Sequence, residues 1–179
     1  RTMYAGDYSM PGMLHVKVVR ANVASARLAR LDVSRARALE GVECVLTGAD
    51  LPDRTAATDI PGQTGRKRLD TDQQILVKER VRYFGEPLAL IAARSRDIAE
   101  HAAALVEFDL QPLPGVYDPE EALRPGAPIV SGTDNVVAEY RIRKGDLPAG
   151  FAAADQIVER TYRTPFQEHA FLEPEVGLA

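Results

Sequence analysis

The run Leu88-Ala89-Leu90-Ile91-Ala92-Ala93 constrains the fold more than any other stretch of this chain, because it offers no polar face to water. A strand with apolar side chains on both sides has to be covered on both sides. The next residues supply one cover. Ser95 can cap a helix from Arg96 to about Leu105, in which Ile98, Ala102 and Leu105 keep the spacing of a buried stripe while Asp97, Glu100 and His101 are polar. Val106, Phe108 and Leu110 then alternate with Glu107, Asp109 and Gln111 until Pro112 and Pro114 stop the strand. This is a strand, helix, strand unit, and a right-handed crossover predicts the helix on one face of a shared sheet.

An earlier unit of the same kind is legible. After the Pro11-Gly12 turn, residues 13–19 read as a half-buried strand with Leu14, Val16 and Val18 on one side and His15 and Lys17 on the other, so that His15 is expected to point to solvent or a neighbouring strand. Residues 26–33 read as a second strand, Ser34 as an N-cap, residues 36–39 as a short helix and Gly41 as its left-handed terminator. Residues 42–47 form the next strand, with Val42, Cys44 and Leu46 sharing a face, so the single Cys44 reads as a buried structural thiol. Residues 50–72, broken by Pro52, Pro61, Gly62 and Gly65, read as a long loop. Further on come a capped helical turn at 118–123, a Pro- and Gly-rich linker at 124–133, a strand candidate at 135–143, a short helix at 145–154 and an amphipathic strand at 156–164.

Charge and composition narrow the partners. A net charge of -4 gives no electrostatic reason to attract nucleic acid or an anionic membrane, and Arg66-Lys67-Arg68 reads as a solvated loop tip. With no Trp and few aromatics, base-stacking platforms are not expected. One cysteine excludes an internal disulfide and a CxxC pair. No apolar run approaches the roughly 18 residues that span a bilayer, so the expectation is a soluble, cytoplasmic protein with neither nucleic-acid nor membrane partners.

The densest cluster of chemically capable side chains lies at the far end. Gln167, Glu168, His169 and Glu173 fall close together, and a strand there would place Gln167, His169 and Glu173 on one face. On residue chemistry alone that face is either a buried, hydrogen-bonded strand end or the edge of a site. Only five residues follow Pro174, too few to wall in a site, so the chain is expected to be a piece of a larger enzyme. Glu168 and His169 also admit a hydrolase, for which neither a nucleophile motif nor an oxyanion motif is visible. No catalytic residue and no metal ligand is assigned within the chain.

Several segments carry a resemblance. Tyr4-Ala5-Gly6-Asp7, Pro11 to His15, Leu31-Asp32-Val33-Ser34, Ala38 to Val42, Val45 to Pro52, Arg82 to Ala89 and Val106 to Pro114 resemble the N-terminal α/β hammerhead domain of the molybdenum hydroxylase large subunit. Gly145-Asp146, Phe151, Ala154-Asp155 and Gln167 to Pro174 resemble the start of the molybdopterin-binding part that follows. This is the family of xanthine dehydrogenases, aldehyde oxidases and aerobic carbon monoxide dehydrogenases. One segment departs from it: Ala21 to Arg27 stands where the family often carries Ser-Pro-His-Ala-His-Ala-Arg.

The resemblance implies an α+β fold, with a hammerhead domain at 1–116, a linker at 117–134 and the first strands of a second α+β domain at 135–179. It implies an oxidoreductase that hydroxylates an aldehyde or N-heteroaromatic small molecule with water. The cofactors would be molybdenum-molybdopterin in the full-length enzyme, with iron-sulfur clusters and FAD on other domains or subunits. The partners would be the remainder of the molybdopterin-binding subunit and those iron-sulfur and flavin components. Gln167, His169 and Glu173 would line the cofactor cavity. The alternative is a standalone, non-catalytic binding or scaffold module that keeps the hammerhead fold.

Overall fold

The computed structural model describes residues 3–52, 55–58, 69–136, 142–170 and 176–177. They fall into two compact units, one running Pro11–Glu139 and the other joining Arg1–Met10 to Tyr140–Ala179. In the first unit the order is β1 (His15–Arg20), β2 (Ala26–Asp32), α1 (Ser34–Ala38), β3 (Val42–Thr47), β4 (Thr55–Thr58), β5 (Leu69–Gln74), β6 (Arg80–Val81), β7 (Pro87–Ala93), α2 (Arg96–Ala104), β8 (Glu107–Pro112) and α3 (Pro119–Ala122). The fold class is α+β. The described strands form the sheets β1-β7-β3 and β6-β2-β8 and the ribbon β4-β5, and every pairing is antiparallel.

This topology corrects the expected crossover. Each strand, helix, strand unit bridges two sheets: β2 leads through α1 to β3, and β7 leads through α2 to β8, so neither helix joins parallel neighbours. The helices still cover a face, since α2 packs on β1, β7 and β3 while α1 packs on β3 and α2. Between them lies a core that includes Val19, Ala36, Val45, Ala89, Ile91 and Ala102. Ser95 caps α2 as expected, its hydroxyl accepting the Ile98 N–H at 3.2 Å.

Two strands turn the other way from the sequence reading. In β1 the side beneath α2 is His15, Lys17 and Val19, because Val19 pairs with Ala89 and Lys17 with Ile91. Val19 is buried, whereas Val16 is 60% exposed. Alternation says which residues share a face, and only the register says which face meets the helix. Lys17 tolerates the inner side because its long stem carries the ammonium out to Glu100, at 3.5 Å. In β3 a bulge between Val42 and Cys44 breaks the expected face. Val45 is the buried residue and Cys44 is exposed, so the thiol is not a core group.

Three smaller differences have local causes. Inside the stretch expected as loop, β4 and β5 pair as a ribbon, which needs only a backbone ladder and leaves no hydrophobic period to read. Ser34 is the first helical residue of α1 and Val33 holds the cap position. The Asp32 carboxylate accepts the Ser34 N–H at 2.9 Å and its hydroxyl at 2.7 Å. Asn135 has φ of 64°, which excludes it from a strand, and the rest of the expected 135–143 strand falls partly outside the described residues. Its side chain instead gathers the linker: Oδ1 accepts the Val130 N–H at 2.7 Å, and Nδ2 donates to the carbonyls of Ala122 at 3.1 Å and Pro128 at 2.9 Å.

Asp32 yields a pH prediction. Hydrogen bonds from Ser34, and then from Arg30, hold its carboxyl down at about 2. A folded value below the unfolded one stabilises the fold above the unfolded value, and that contribution is lost as the pH falls through the folded value. Asp32→Asn is therefore expected to lower the melting temperature at neutral pH and to flatten its decline between pH 4 and about 2, where the variant and the parent converge. An acid limb identical to that of the parent in a melting series would contradict this.

Among the described residues, no helix is long and apolar enough to cross a membrane.

Candidate functional site

The second unit begins with the turn Ala5–Asp7, in which the Asp7 carboxylate accepts the Tyr4 N–H at 3.1 Å. A Cβ placed on Gly6 would lie 3.6 Å from a Val176 methyl, so the two ends of this unit meet there. Its helix, α4 (Leu147–Ala152), starts where expected: Gly145 turns the chain at φ of 77°, and Asp146 caps by accepting the Ala149 N–H at 3.0 Å. Lys144, Asp146, Leu147, Phe151, Ile157 and Val158 line an open concavity of about 450 Å³ beside this helix.

From Gln156 to Ala170 the chain has no ladder, which corrects the expected strand at 156–164. Alternation in that stretch is real, but a strand exists only beside a partner. Gln167 and His169 are exposed, and Glu173 lies outside the described residues. Immediately after His169 the backbone bends: Ala170 has φ of 49°, and its N–H donates to the Glu168 carboxylate at 3.3 Å. Among the described residues no three His, Cys, Asp or Glu side chains converge as metal ligands.

These groups do not enclose a pterin-sized cofactor. The concavity is open, its walls are mostly apolar, and the two described polar candidates face solvent. The arm instead exposes apolar surface at Ile157, Val158, Tyr162 and Phe166, the last completely. Each such side chain would gain about 1.5–3 kcal/mol on full burial, so the arm carries a strong drive to be covered.

One feature was missed in the sequence. Glu86 is 1% exposed, and its carboxylate accepts the Arg82 N–H at 2.6 Å, closing the turn that feeds β7. The signal was a charged residue wedged between Gly85 and Pro87 just before an apolar run.

Comparison with known proteins adds a family. The model described as "Aldehyde oxidase and xanthine dehydrogenase, a/b hammerhead domain" matches residues 1–114, and that of the molybdopterin cofactor-binding domain matches residues 130–179. The nicotinate dehydrogenase large molybdopterin subunit of Eubacterium barkeri is 35% identical over 98% of this chain, which spans 39% of that protein. The xanthine dehydrogenase molybdenum-binding subunit of Escherichia coli O157:H7 is 32% identical over 100% of the chain, which spans 24% of it. A solved aldehyde oxidoreductase from Desulfovibrio gigas superposes with a TM-score of 0.63 at 31% identity, over 84% of this chain and 17% of that one. The chain thus spans well under half the length of each.

Proposed function

The chain belongs to the aldehyde oxidase and xanthine dehydrogenase family, and from that premise we propose that it is the hammerhead and opening molybdopterin-binding portion of a molybdenum hydroxylase large subunit. The observation that carries this reading is the tandem order of the two family matches, hammerhead first and cofactor-binding domain second, on one chain. The uncovered apolar arm supports it, because a finished scaffold module has no use for Tyr162 and Phe166 in water. In this reading the hammerhead ends near residue 116, residues 117–134 connect, and residues 135–179 open the second domain.

The full-length protein would be a cytoplasmic oxidoreductase hydroxylating an aldehyde or N-heteroaromatic compound, with oxygen from water. Molybdenum bound by molybdopterin would supply that chemistry, and iron-sulfur clusters and FAD on other domains or subunits would carry the electrons away. An exposed, lone thiol at Cys44 fits a reducing compartment. Incubating the purified full-length enzyme with an artificial electron acceptor, a panel of such substrates and oxygen-18 water tests the activity. Heavy oxygen in the product is expected, and the absence of turnover on every member of the panel would refute it.

Gln167, His169 and Glu173 would border the cofactor cavity once the second domain is complete, orienting groups there or lining the substrate channel, with little proton transfer. Gln167→Ala and Glu173→Ala in the full-length enzyme are each expected to lower turnover or molybdenum content about tenfold, the scale of lost supporting hydrogen bonds. Turnover and metal content equal to the parent would remove these residues from the site.

A further inference from the structure

We infer that the outer side of the β6-β2-β8 sheet carries a binding site for a small oxyanion of the phosphate class, built on the arginine pair Arg27 and Arg80. The backbone sets the pair. Arg27 of β2 stands directly across from Arg80 of β6, and Ala26 stands across from Val81. Ala26 and Val81 are fully buried in the core, so alternation leaves the two arginines together on the outer side. Like charges directly opposite each other on neighbouring strands work against the sheet unless a counter-charge sits between them.

No carboxylate fills that role among the described residues. Across from Arg27 on its other flank, β8 offers the neutral Gln111, and the nearest acid on that strand, Asp109, stands across from Arg30. Arg30 is itself held by Asp32 at 3.0 Å and Glu107 at 3.2 Å. Glu79 precedes Arg80 and alternates to the opposite side. Elsewhere in this unit Arg20, Arg35, Arg37, Arg94, Arg96 and Arg124 each meet a carbonyl or a carboxylate. Among the described residues Arg27 and Arg80 have no such acceptor.

Two buried polar atoms on the same side are also unmet. The Arg80 Nε has no hydrogen-bond partner, and neither has the hydroxyl of Ser25, a residue only 5% exposed. The Leu113 N–H donates to the Ser25 carbonyl at 3.0 Å, which carries the β8 ladder one residue beyond Ala26. Continued that far, alternation puts Ser25 on the side of Arg27, two residues away. Buried polar groups without partners are rare, and two on one side of a sheet mark a place where an acceptor belongs.

The donor set selects the ligand. A guanidinium has donors only and keeps its charge, so two of them beside a hydroxyl ask for several oxygens and more than one negative charge. Water would meet the donors and leave the charges unbalanced, and a carboxylate brings two oxygens and a single charge. A phosphate group brings at least three oxygens and up to two charges, and its edge fits the guanidinium fork. The chain's net charge of -4 gives anions no general attraction, so the site has to be local.

Isothermal titration of the intact, full-length protein with inorganic phosphate, at an ionic strength fixed with sodium chloride, tests the site. Arg27→Gln and Arg80→Gln are each expected to weaken phosphate binding about tenfold, the loss of one charge-assisted contact. Acetate, the carboxylate probe, should bind far more weakly. Equal phosphate affinity in the parent and both variants would overturn the inference, and so would acetate binding as tightly as phosphate. AMP separates the sources: tighter binding than inorganic phosphate supports an esterified ligand, and weaker binding supports the free ion. Melting curves supply a second reading. Without phosphate, Arg80→Gln should melt about 2 °C above the parent because the like-charge pair is relieved, and at saturating phosphate the order should reverse. A variant that melts below the parent in both buffers would make Arg80 a structural residue and end the proposal. Neither readout involves molybdenum, so its failure leaves the hydroxylase reading untouched.

Discussion

Gly48→Ala is expected to destabilise the Pro11–Glu139 unit by about 3 kcal/mol, the upper end of overpacking penalties, although it adds a single methyl group. Gly48 opens the 3-10 turn that follows β3, and it is buried. A Cβ there would run into the Val77 carbonyl oxygen and sit 2.8 Å from the Val77 carbonyl carbon. Neither side is free to yield. The turn is pinned by Asp50, whose carboxylate accepts the Thr47 N–H at 2.8 Å and its hydroxyl at 2.7 Å. Val77 is buried and donates its N–H to the Pro87 carbonyl at 2.8 Å, tying it to the start of β7. The chain has no Trp, so urea denaturation followed by circular dichroism is the natural readout. A lower midpoint at an unchanged slope is expected. Gly150→Ala serves as the control, since its Cβ would meet nothing within 4 Å.

Glu86→Ala should cost a similar amount, about 3 kcal/mol, by a different route. It removes the acceptor of the half-buried Arg82 N–H and leaves a cavity, each a loss of about 1–3 kcal/mol. The turn it closes is also bound to the end of β1: Ala21 N–H donates to the Glu86 carbonyl and Gly85 N–H to the Ala21 carbonyl, both at 2.9 Å. The Arg20 guanidinium donates to the Gly85 carbonyl, also at 2.9 Å. Loosening this knot therefore frees the entry of the central strand. Glu86→Gln keeps an accepting oxygen and should lose only about 1 kcal/mol, so equal losses for the two variants would show that the hydrogen bond to Arg82 is not what holds the turn.

The parts of the fold that were legible are those whose signals are local. The strand at 42–47 is bounded by Gly41 and Gly48, α2 by Ser95 and its apolar stripe, and α4 by Asp146, and all three lie where the residues put them. Signals that depend on a partner misled. Period two grouped Leu14, Val16 and Val18 correctly, yet nothing in that period says that Lys17, on the other side, goes beneath α2. The bulge beside Cys44 leaves no trace in hydropathy. At 156–164 the alternation of a strand is present without a ladder, and Gln167, Glu168 and His169 beyond it are exposed. The family was legible because it is spelled by turn residues such as Gly41, Gly48 and Gly85, which the structure uses for reversals and close approaches.

The measurement that bears most directly on the central claim is the molybdenum and pterin content of the intact, full-length gene product, with its mass determined on the same preparation from a host that makes the cofactor. The account predicts a polypeptide much longer than 179 residues carrying about one molybdenum and one pterin each. A full-length product of that kind that folds, covers the arm and contains neither would contradict it.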